Sequence, residues 1–346
     1  MKIKKYKYEL EIITPLAICS GEVIQSFEVI KDGNSAYVLD FQKLMSQEEN
    51  FLNYLIEYPE ILESSEEIKK VLRFFNVDYS KYIKHSLKGY LPRNLRINEF
   101  VKTAGRPYIP GSSLKGAIRT FLIKGTKYTE KYSVKLFKTS YGKSKFFDDT
   151  VDRELFGTPN ESPFRMLKIF DSETIDVKNL KVKMIEVVKL NENKKSIPLY
   201  YEVLDKGIKL RGEIVIDYRF MNSNFIKNSE ILDNFVERLK KGYEDYVDHE
   251  LSILERYKVL PLLKFYKYLS SIKLSENQFL VQLGASTGFY SKTLVKSMDS
   301  KSIGNLKKIL GNRGRKISVK LFPKTRRVIK EGNYWIPLGW AKITLN

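Results

Sequence analysis

One short stretch of the sequence carries the residue types that hold a phosphate group. It reads Tyr-Ile-Pro-Gly-Ser-Ser-Leu-Lys-Gly-Ala-Ile-Arg over positions 108–119. Pro110 and Gly111 predict a turn, after which Ser112 or Ser113 can cap a helix. The unpaired backbone N–H groups of such a helix start, together with its partial positive charge, favour a bound phosphate.

Two cations and a glycine follow on the predicted helix. Lys115 and Arg119 lie one turn apart, where like charges cost about 0.2–0.5 kcal/mol that an anion between them would remove. Gly116 would let a phosphate backbone approach closely. An ordinary capped helix with two solvated cations is the alternative, and the spacing alone does not decide between them.

A second glycine-rich stretch, Gly-Ala-Ser-Thr-Gly-Phe-Tyr-Ser-Lys over 284–292, predicts another contact with RNA. Its glycines would admit a phosphate backbone, and an aromatic ring could stack on a base. The alternative is a tight strand-to-helix turn with its aromatics in the core. The candidate RNA-binding residues here are Gly284, Ser286, Thr287, Gly288, Phe289, Tyr290 and Lys292.

Neither stretch is a nucleotide-binding P-loop, which requires G-x4-G-K-[ST]. Ala117 follows Gly116 where that motif needs lysine, and Phe289 follows Gly288 after too short a spacing. ATP or GTP hydrolysis is therefore not predicted.

A compact basic tetrad near the end of the chain adds a third candidate contact. It contains Lys324, Arg326 and Arg327. Arginine presents a forked set of donors that matches a phosphate. A solvated loop is the alternative, and such a tetrad is a weak signal by itself.

Residues suited to catalysis are few. The two histidines, His85 and His249, lie in separate contexts, whereas a metal-independent ribonuclease needs an acid–base pair. Asp148, Asp149 and Asp152 could bind a metal, but their polar surroundings favour a solvated loop. No catalytic residue, metal site or cofactor is predicted.

The charge distribution points to a polyanionic partner. The chain of 346 residues carries a formal net charge of +20. Positions 111–145 hold nine bases against one acid, and positions 301–330 hold eleven against none. Positions 230–255 reverse the sign, with eight acids against three bases. Such clustering favours one face on nucleic acid and another turned away from it, over a merely lysine-rich composition.

Periodicity predicts an α+β protein of two domains, 1–220 and 221–346. The longest predicted helix spans 229–257, a shorter one begins at 112, the region 41–86 looks helical, and a further helix should follow 284–288. Predicted strands are 6–18, 35–40, 164–171, 180–190, 208–217, 279–283 and 334–345, and 126–152 is predicted to be a flexible excursion. The single cysteine, Cys19, excludes an internal disulfide, and no apolar run is long enough to span a membrane, so the cytoplasm is the expected compartment.

The order of these motifs resembles the RAMP proteins, the RNA-binding subunits of CRISPR effector complexes. The similarity rests on the 107–120 segment, Leu-Phe-Gly at 155–157, Ile-Phe-Asp-Ser at 169–172 and the opening Thr-Pro-Leu at 14–16. The Ser20-Gly21 loop and the closing Pro-Leu-Gly-Trp at 337–340 also fit. Length and tail are similar to the end-capping subunit of type III-A complexes rather than to the repeated backbone subunit.

The resemblance implies two fused ferredoxin-like (RRM-like) RAMP modules with a protruding thumb hairpin and helical insertions. The first module would carry the insertion at about 41–86 and the thumb at about 189–207, and the second an acidic helix and a glycine-rich loop. Ser20 and Gly21 join the implied RNA-binding residues. The implied thumb residues are Lys189, Asn191, Asn193, Lys194, Lys195, Ile197 and Leu199.

The resemblance also implies a function: binding crRNA near its 3′ end, at the end of the complex, and supporting maturation of that end. Implied partners are crRNA, target RNA, the backbone and small subunits, and host nucleases, with no membrane and no small-molecule substrate. The aspartate that the cleaving backbone subunit carries before its 107–120 equivalent is missing here, where Leu95 to Asn98 stand and Glu99 is close. A non-catalytic subunit is therefore expected. The alternatives are a metal-independent RAMP endoribonuclease and a protein-docking adaptor built on the acidic helix.

Overall fold

The computed structural model describes residues 3–33, 35–91, 96–127, 147–191, 198–220, 225–293, 303–304 and 322–346. Its first strands are β1 (Ile3–Ile12), β2 (Cys19–Gln25), β3 (Val29–Asp32), β4 (Ser35–Leu39), β5 (Ile83–Leu87), β6 (Arg96–Phe100), β7 (Lys102–Thr103) and β8 (Arg106–Pro107). The later strands are β9 (Leu167–Ile169), β10 (Leu180–Lys189), β11 (Leu199–Leu204), β12 (Lys209–Asp217), β13 (Gln278–Gln282), β14 (Thr325–Glu331), β15 (Tyr334–Pro337) and β16 (Trp340–Leu345). The helices are α1 (Phe41–Gln47), α2 (Glu49–Glu57), α3 (Ser65–Phe74), α4 (Gly111–Lys124), α5 (Phe147–Phe156), α6 (Phe235–Arg256) and α7 (Leu260–Ser270).

The mixed content confirms the predicted α+β class. A five-stranded antiparallel sheet of order β13-β16-β1-β12-β9 forms the centre. Alternation in β1 buries Tyr8, Leu10 and Ile12 and leaves the residues between them facing outward, as a half-buried strand requires. Hydrogen bonds join β1 to β16, so this sheet is continuous across the predicted boundary near residue 220.

Two helices cover the central sheet and form the main core with it. Trp340 of β16 is fully buried, and the rings of Phe121, Tyr243 and Tyr246 surround it at centroid distances of 5.8–6.1 Å. These rings come from α4 and α6. The core therefore fixes α4, the helix that carries the predicted phosphate-binding stretch, directly on the sheet.

Helices α4 and α6 cross at a pair of glycines. A Cβ atom added to Gly242 would lie 2.0 Å from the carbonyl oxygen of Phe121, and one added to Gly125 would lie 2.0 Å from that of Arg238. Only hydrogen in place of a side chain permits this approach of the two backbones. The crossing sets where α4 ends.

The second sheet has the order β15-β14-β10-β11-β6-β2. Arg326 of β14 ties it to α6, because its guanidinium donates to both Glu250 carboxylate oxygens at 2.8 and 3.0 Å. Both side chains are buried. The predicted role of Arg326 in RNA binding is therefore wrong: its charge is neutralised inside the protein.

A third sheet, β3-β4-β5, carries helices α1, α2 and α3 as an insertion with its own apolar cluster. The prediction of a helical region over 41–86 was right for these helices and wrong for its end, where β5 pairs with β4. His85 consequently lies on a strand. Strand pairing across more than forty residues leaves no local periodicity that could distinguish β5.

Other element boundaries differ from the predicted ones for local reasons. The long helix begins at Phe235, because Asn234 has a φ of +49° and separates it from a 3-10 turn at Ser229–Leu232. The helix expected after 284–288 is absent from the described residues up to 293, which form turns and bends. Most of the predicted excursion, 128–146, lies outside the described residues. None of the described helices is long and apolar enough to cross a membrane.

The glycine crossing yields a stability prediction. Gly242→Ala should destabilise the protein by about 1–3 kcal/mol, because the new methyl group overpacks against a backbone carbonyl. Gly116→Ala is the matched control, since a Cβ there meets no atom within 4 Å, and it should stabilise by about 0.5–1 kcal/mol through helix propensity. Urea denaturation measures both. Equal effects in the two variants would contradict the close approach of α4 and α6.

Candidate nucleic-acid interface

Helix α4 starts differently from the prediction. Its N-cap is Pro110, and neither Ser112 nor Ser113 caps it with a side chain. Instead the Gly111 N–H donates to the Asp171 carboxylate at 2.7 Å, and a Cβ on Gly111 would lie 2.2 Å from the Ile169 carbonyl oxygen. Gly111 is thus required for packing, and a carboxylate already accepts from the helix start.

The two glycine-rich stretches meet on one concave surface of about 480 Å³, here called the central groove. It is bounded by α4, the 284–292 loop and the start of β2. The residues that bear on its chemistry are Cys19, Ser112, Ser113, Gly116, Arg119, Thr120, Gly284, Ser291 and Lys292. Lys115 is not among them and lines a neighbouring groove instead.

The 284–292 loop is clamped in place by its backbone. Gly284 has a φ of +89°, and a Cβ there would lie 2.3 Å from the Ala17 carbonyl oxygen. That carbonyl accepts from the N–H of Ala285 at 2.6 Å. The loop therefore runs directly against the segment that leads into β2, and this brings Cys19 to the groove.

Hydroxyls and aromatics of this loop mostly face the protein. Ser286 and Thr287 are buried, and their hydroxyls bond to Tyr201 and Ser291. Tyr290 is 4% exposed and its hydroxyl donates to the Phe322 carbonyl oxygen at 3.0 Å. Tyr290 therefore cannot stack on a base in this arrangement.

The remaining loop residues differ in how tightly they are packed. Phe289 is partly buried and packs edge-on against Phe322 at 5.0 Å. Gly288, with a φ of +113°, has open space around its Cβ position, as do Gly116 on α4 and Gly21 at the start of β2. Of these three glycines, Gly116 lines the central groove, whereas Gly288 and Gly21 are not part of its lining.

The cations near the groove differ in whether a carboxylate of the protein pairs with them. Arg119 pairs with Asp152 and lies over the Phe164 ring, 5.2 Å from its centroid. The like-charge cost predicted for Lys115 and Arg119 is thus relieved by a carboxylate of the protein. Burial lowers the pKa of the Lys292 ammonium, and the Arg327 charge lowers it further. Among the described residues no carboxylate forms an ion pair with Lys292.

The structure describes some of the other residues that were predicted to contact RNA. Arg327 is exposed and Lys324 is half-buried, both at the start of β14. Ser20 is exposed, and its hydroxyl donates to the Glu99 carbonyl oxygen at 3.4 Å. Of the residues predicted to form a thumb, Lys189, Asn191 and Leu199 lie at the base of the β10–β11 hairpin. The others, Asn193, Lys194, Lys195 and Ile197, lie outside the described residues.

His85 belongs to a buried charged cluster. Its Nε2 lies 2.6 Å from one Glu202 carboxylate oxygen, and Lys102 donates to the other at 2.6 Å and to Glu99 at 2.8 Å. Burial acts to raise the pKa of the Glu202 carboxyl, but the His85 hydrogen bond and the Lys102 charge outweigh it, so the pKa lies below its usual 4.5. The cluster braces β5, β6 and β11, and sequence spacing could not reveal it.

Several known proteins are similar to this chain. A model of the RAMP superfamily matches residues 9–289. The protein named CRISPR system Cms protein Csm5 of Streptococcus thermophilus is 26% identical, over 86% of this chain and 82% of its own length. The protein of that name from Methanocaldococcus jannaschii is 25% identical, over 97% and 88%.

Solved structures share the fold. One chain of a cryo-EM structure of a Csm–crRNA–target RNA ternary complex of a type III-A CRISPR-Cas system matches with a TM-score of 0.75 at 24% identity, covering 99% of this chain and 100% of that one. The crystal structure of T. onnurineus Csm5 matches with a TM-score of 0.64 at 22% identity, covering 97% and 99%.

The buried cluster predicts an acid-sensitive stability. Because the pKa of Glu202 is lower in the folded protein, its contribution is complete above pH 4.5 and is lost as the pH falls through the lower folded value. Glu202→Gln should cost about 1–3 kcal/mol at neutral pH, because it removes the buried carboxylate that Lys102 and His85 contact and leaves Lys102 with Glu99 alone. Urea denaturation at several pH values measures both, and the variant should lose less stability than the parent below pH 4.5. Parallel pH profiles would contradict the ionised state of Glu202.

Proposed function

We propose that this chain, which belongs to the RAMP superfamily, is a crRNA-binding subunit of a type III-A CRISPR effector complex and holds the guide strand in the central groove. The observation that carries the proposal is the convergence of the two glycine-rich stretches on one concave surface. Relatives that are 25–26% identical over most of this chain bear the name Csm5. Such a subunit would act in the cytoplasm.

The groove suits a sugar–phosphate strand. Gly116 lines the groove with open space at its Cβ position, so a sugar–phosphate strand could lie close against α4 there. Lys292 is partly desolvated with no carboxylate of the described residues to neutralise it, and a phosphate would supply that charge.

We further propose that the chain lies at the 3′ end of crRNA and supports maturation of that end, as its resemblance to the end-capping subunit of type III-A complexes implies. In the proposed role the chain caps the end of the complex, contacts the backbone and small subunits and target RNA, and leaves trimming to recruited nucleases. Binding without cleavage is favoured because His85 is buried against Glu202, so it is not free to serve as a general acid or base. The RAMP endoribonuclease remains the second hypothesis, and incubating the pure chain with repeat RNA in EDTA tests it.

The lone cysteine offers a direct test of where RNA lies. Cys19 is exposed and lines the central groove. Burial raises the pKa of its thiol, against a lowering effect of the Lys292 charge, so its reaction with a thiol reagent should be followed at mildly alkaline pH. Saturating oligouridylate should slow this reaction at least about tenfold, because RNA occludes the thiol and its phosphates disfavour the thiolate.

High salt provides the control for this protection. Raising the salt concentration should release the RNA and restore the reaction rate of Cys19. An unchanged rate under conditions where anisotropy shows the RNA to be bound would place the strand elsewhere and refute the proposal.

Two substitutions distinguish an effect on RNA binding in the groove from an effect on the stability of the fold. Gly116→Ala should weaken binding of oligouridylate although it stabilises the helix, because the methyl group projects into the groove. Lys292→Met should weaken binding and reduce the slope of log K against log salt by about 0.7, the loss of one phosphate contact to a single strand. Fluorescence anisotropy across a salt series measures both. Lys5→Met is the matched control, since Lys5 is exposed and lies outside the groove; a similar loss in this variant would indicate a general charge effect.

A further inference from the structure

A second concave surface, here called the lateral groove, lies beside the central groove. Its volume is about 490 Å³, within the range of small-ligand pockets. It meets α4 at Lys115, whereas the central groove meets α4 at Ser112, Gly116 and Thr120. The other wall is the end of α5 and the 157–165 loop.

The two grooves are adjacent, and one ion pair stands between them. Arg119 lines the central groove, while Asp152, its partner, lines the lateral groove. Because this carboxylate is engaged by Arg119, it is not left to neutralise Lys115. The boundary between the grooves is therefore close to neutral, whereas cations lie on either side of it.

Lys115 is the unbalanced charge of the lateral groove. It is half-buried, and among the described residues no carboxylate forms an ion pair with it. Burial lowers the pKa of its ammonium, and the Arg119 charge lowers it further. A desolvated cation without an anion is unfavourable, so this position favours an anionic ligand on geometric as well as electrostatic grounds.

The rest of the groove supplies cations rather than a stacking surface. Phe156 and Phe164 pack edge to face at 5.0 Å behind its wall, but they are only 1% and 5% exposed, and Arg119 lies over the Phe164 ring. Arg153 and Arg165 are exposed at its edge, and Arg165 is oriented by a hydrogen bond to the Asn160 carbonyl oxygen at 2.7 Å. Together with Lys115, this cationic edge suits the phosphate of a nucleotide.

We propose that the lateral groove is a second RNA subsite, which takes a nucleotide of the strand whose neighbouring nucleotides lie in the central groove. This inference rests on the proposed function. A helix with its side chains is about 10–12 Å across, a distance that an extended strand of a few nucleotides covers. RNA would thus pass over α4, with Lys292 contacting it on one side and Lys115 on the other.

The test compares Lys115→Met with the Lys5→Met control on oligouridylates of increasing length. Lys115→Met keeps the aliphatic stem and removes one charge. Strands long enough to reach both grooves should bind the variant about three- to tenfold more weakly, with the salt slope reduced by about 0.7. The shortest strands, which fill the central groove alone, should bind it as they bind the parent. Arg153→Gln is a second variant, expected to show a smaller loss with the same length dependence.

Protection of Cys19 separates the outcomes. In Lys115→Met, saturating RNA should still protect Cys19 fully, because the central groove stays occupied. Identical affinities of Lys115→Met and Lys5→Met at every length would overturn the second subsite while leaving the proposed function intact. An equal loss for the shortest strands would also overturn it, because Lys115 would then act in the central groove. Failure of RNA to protect Cys19 in the parent protein refutes the proposed function itself.

Discussion

The close backbone contacts at the two ends of α4 are the constraint on which the rest of the structure depends. Gly111 lets its first residue pass beneath the Ile169 carbonyl, and Gly125 lets its last turn cross α6 at Gly242. A side chain at any of these three positions would collide with backbone, which cannot move aside as a flexible side chain can. Both ends of the helix are thus fixed, and its middle, with Gly116 open to solvent, forms a rigid wall shared by two grooves.

Charge pairing decides which cations remain available to a polyanion. Arg326 and Arg119 are matched by Glu250 and Asp152 within the protein. Lys292 and Lys115 are partly desolvated yet have no such partner among the described residues. A protein that keeps cations in this state forgoes some stability of the free form in favour of binding, which is the expected arrangement at a functional site. In the proposed role, the net charge would attract RNA from a distance, and these lysines would determine where a strand lies.

Sequence patterns predicted the parts of the fold that local spacing controls. The strands β4, β10, β12 and β13 fall within one residue of their predicted bounds. Alternation indicated β10 and β12, whereas β13 is a short apolar run that is buried from Phe279 to Gln282. The meeting of the 108–119 and 284–292 stretches also agrees with the interpretation of both as parts of one surface. The predicted roles of individual residues were less accurate. Arg326 and Tyr290 resemble RNA contacts in the sequence, but their partners Glu250 and Phe322 lie 76 and 32 positions away. No local pattern encodes such partners, and the capping of α4 by Asp171 was missed for the same reason.

The place of β16 in the central sheet has a consequence for how the chain acquires its structure. This strand lies between β13 and β1, and it contributes the fully buried Trp340 around which α4 and α6 pack. The central sheet therefore cannot be completed until residues 340–345 have been synthesised, and until then β1 and β13 lack the strand that lies between them. Closing so large a separation in sequence carries an entropic cost and slows folding. During that interval the unpaired edge of β1 is exposed to other chains, a hazard that early association with RNA or a neighbouring subunit would reduce.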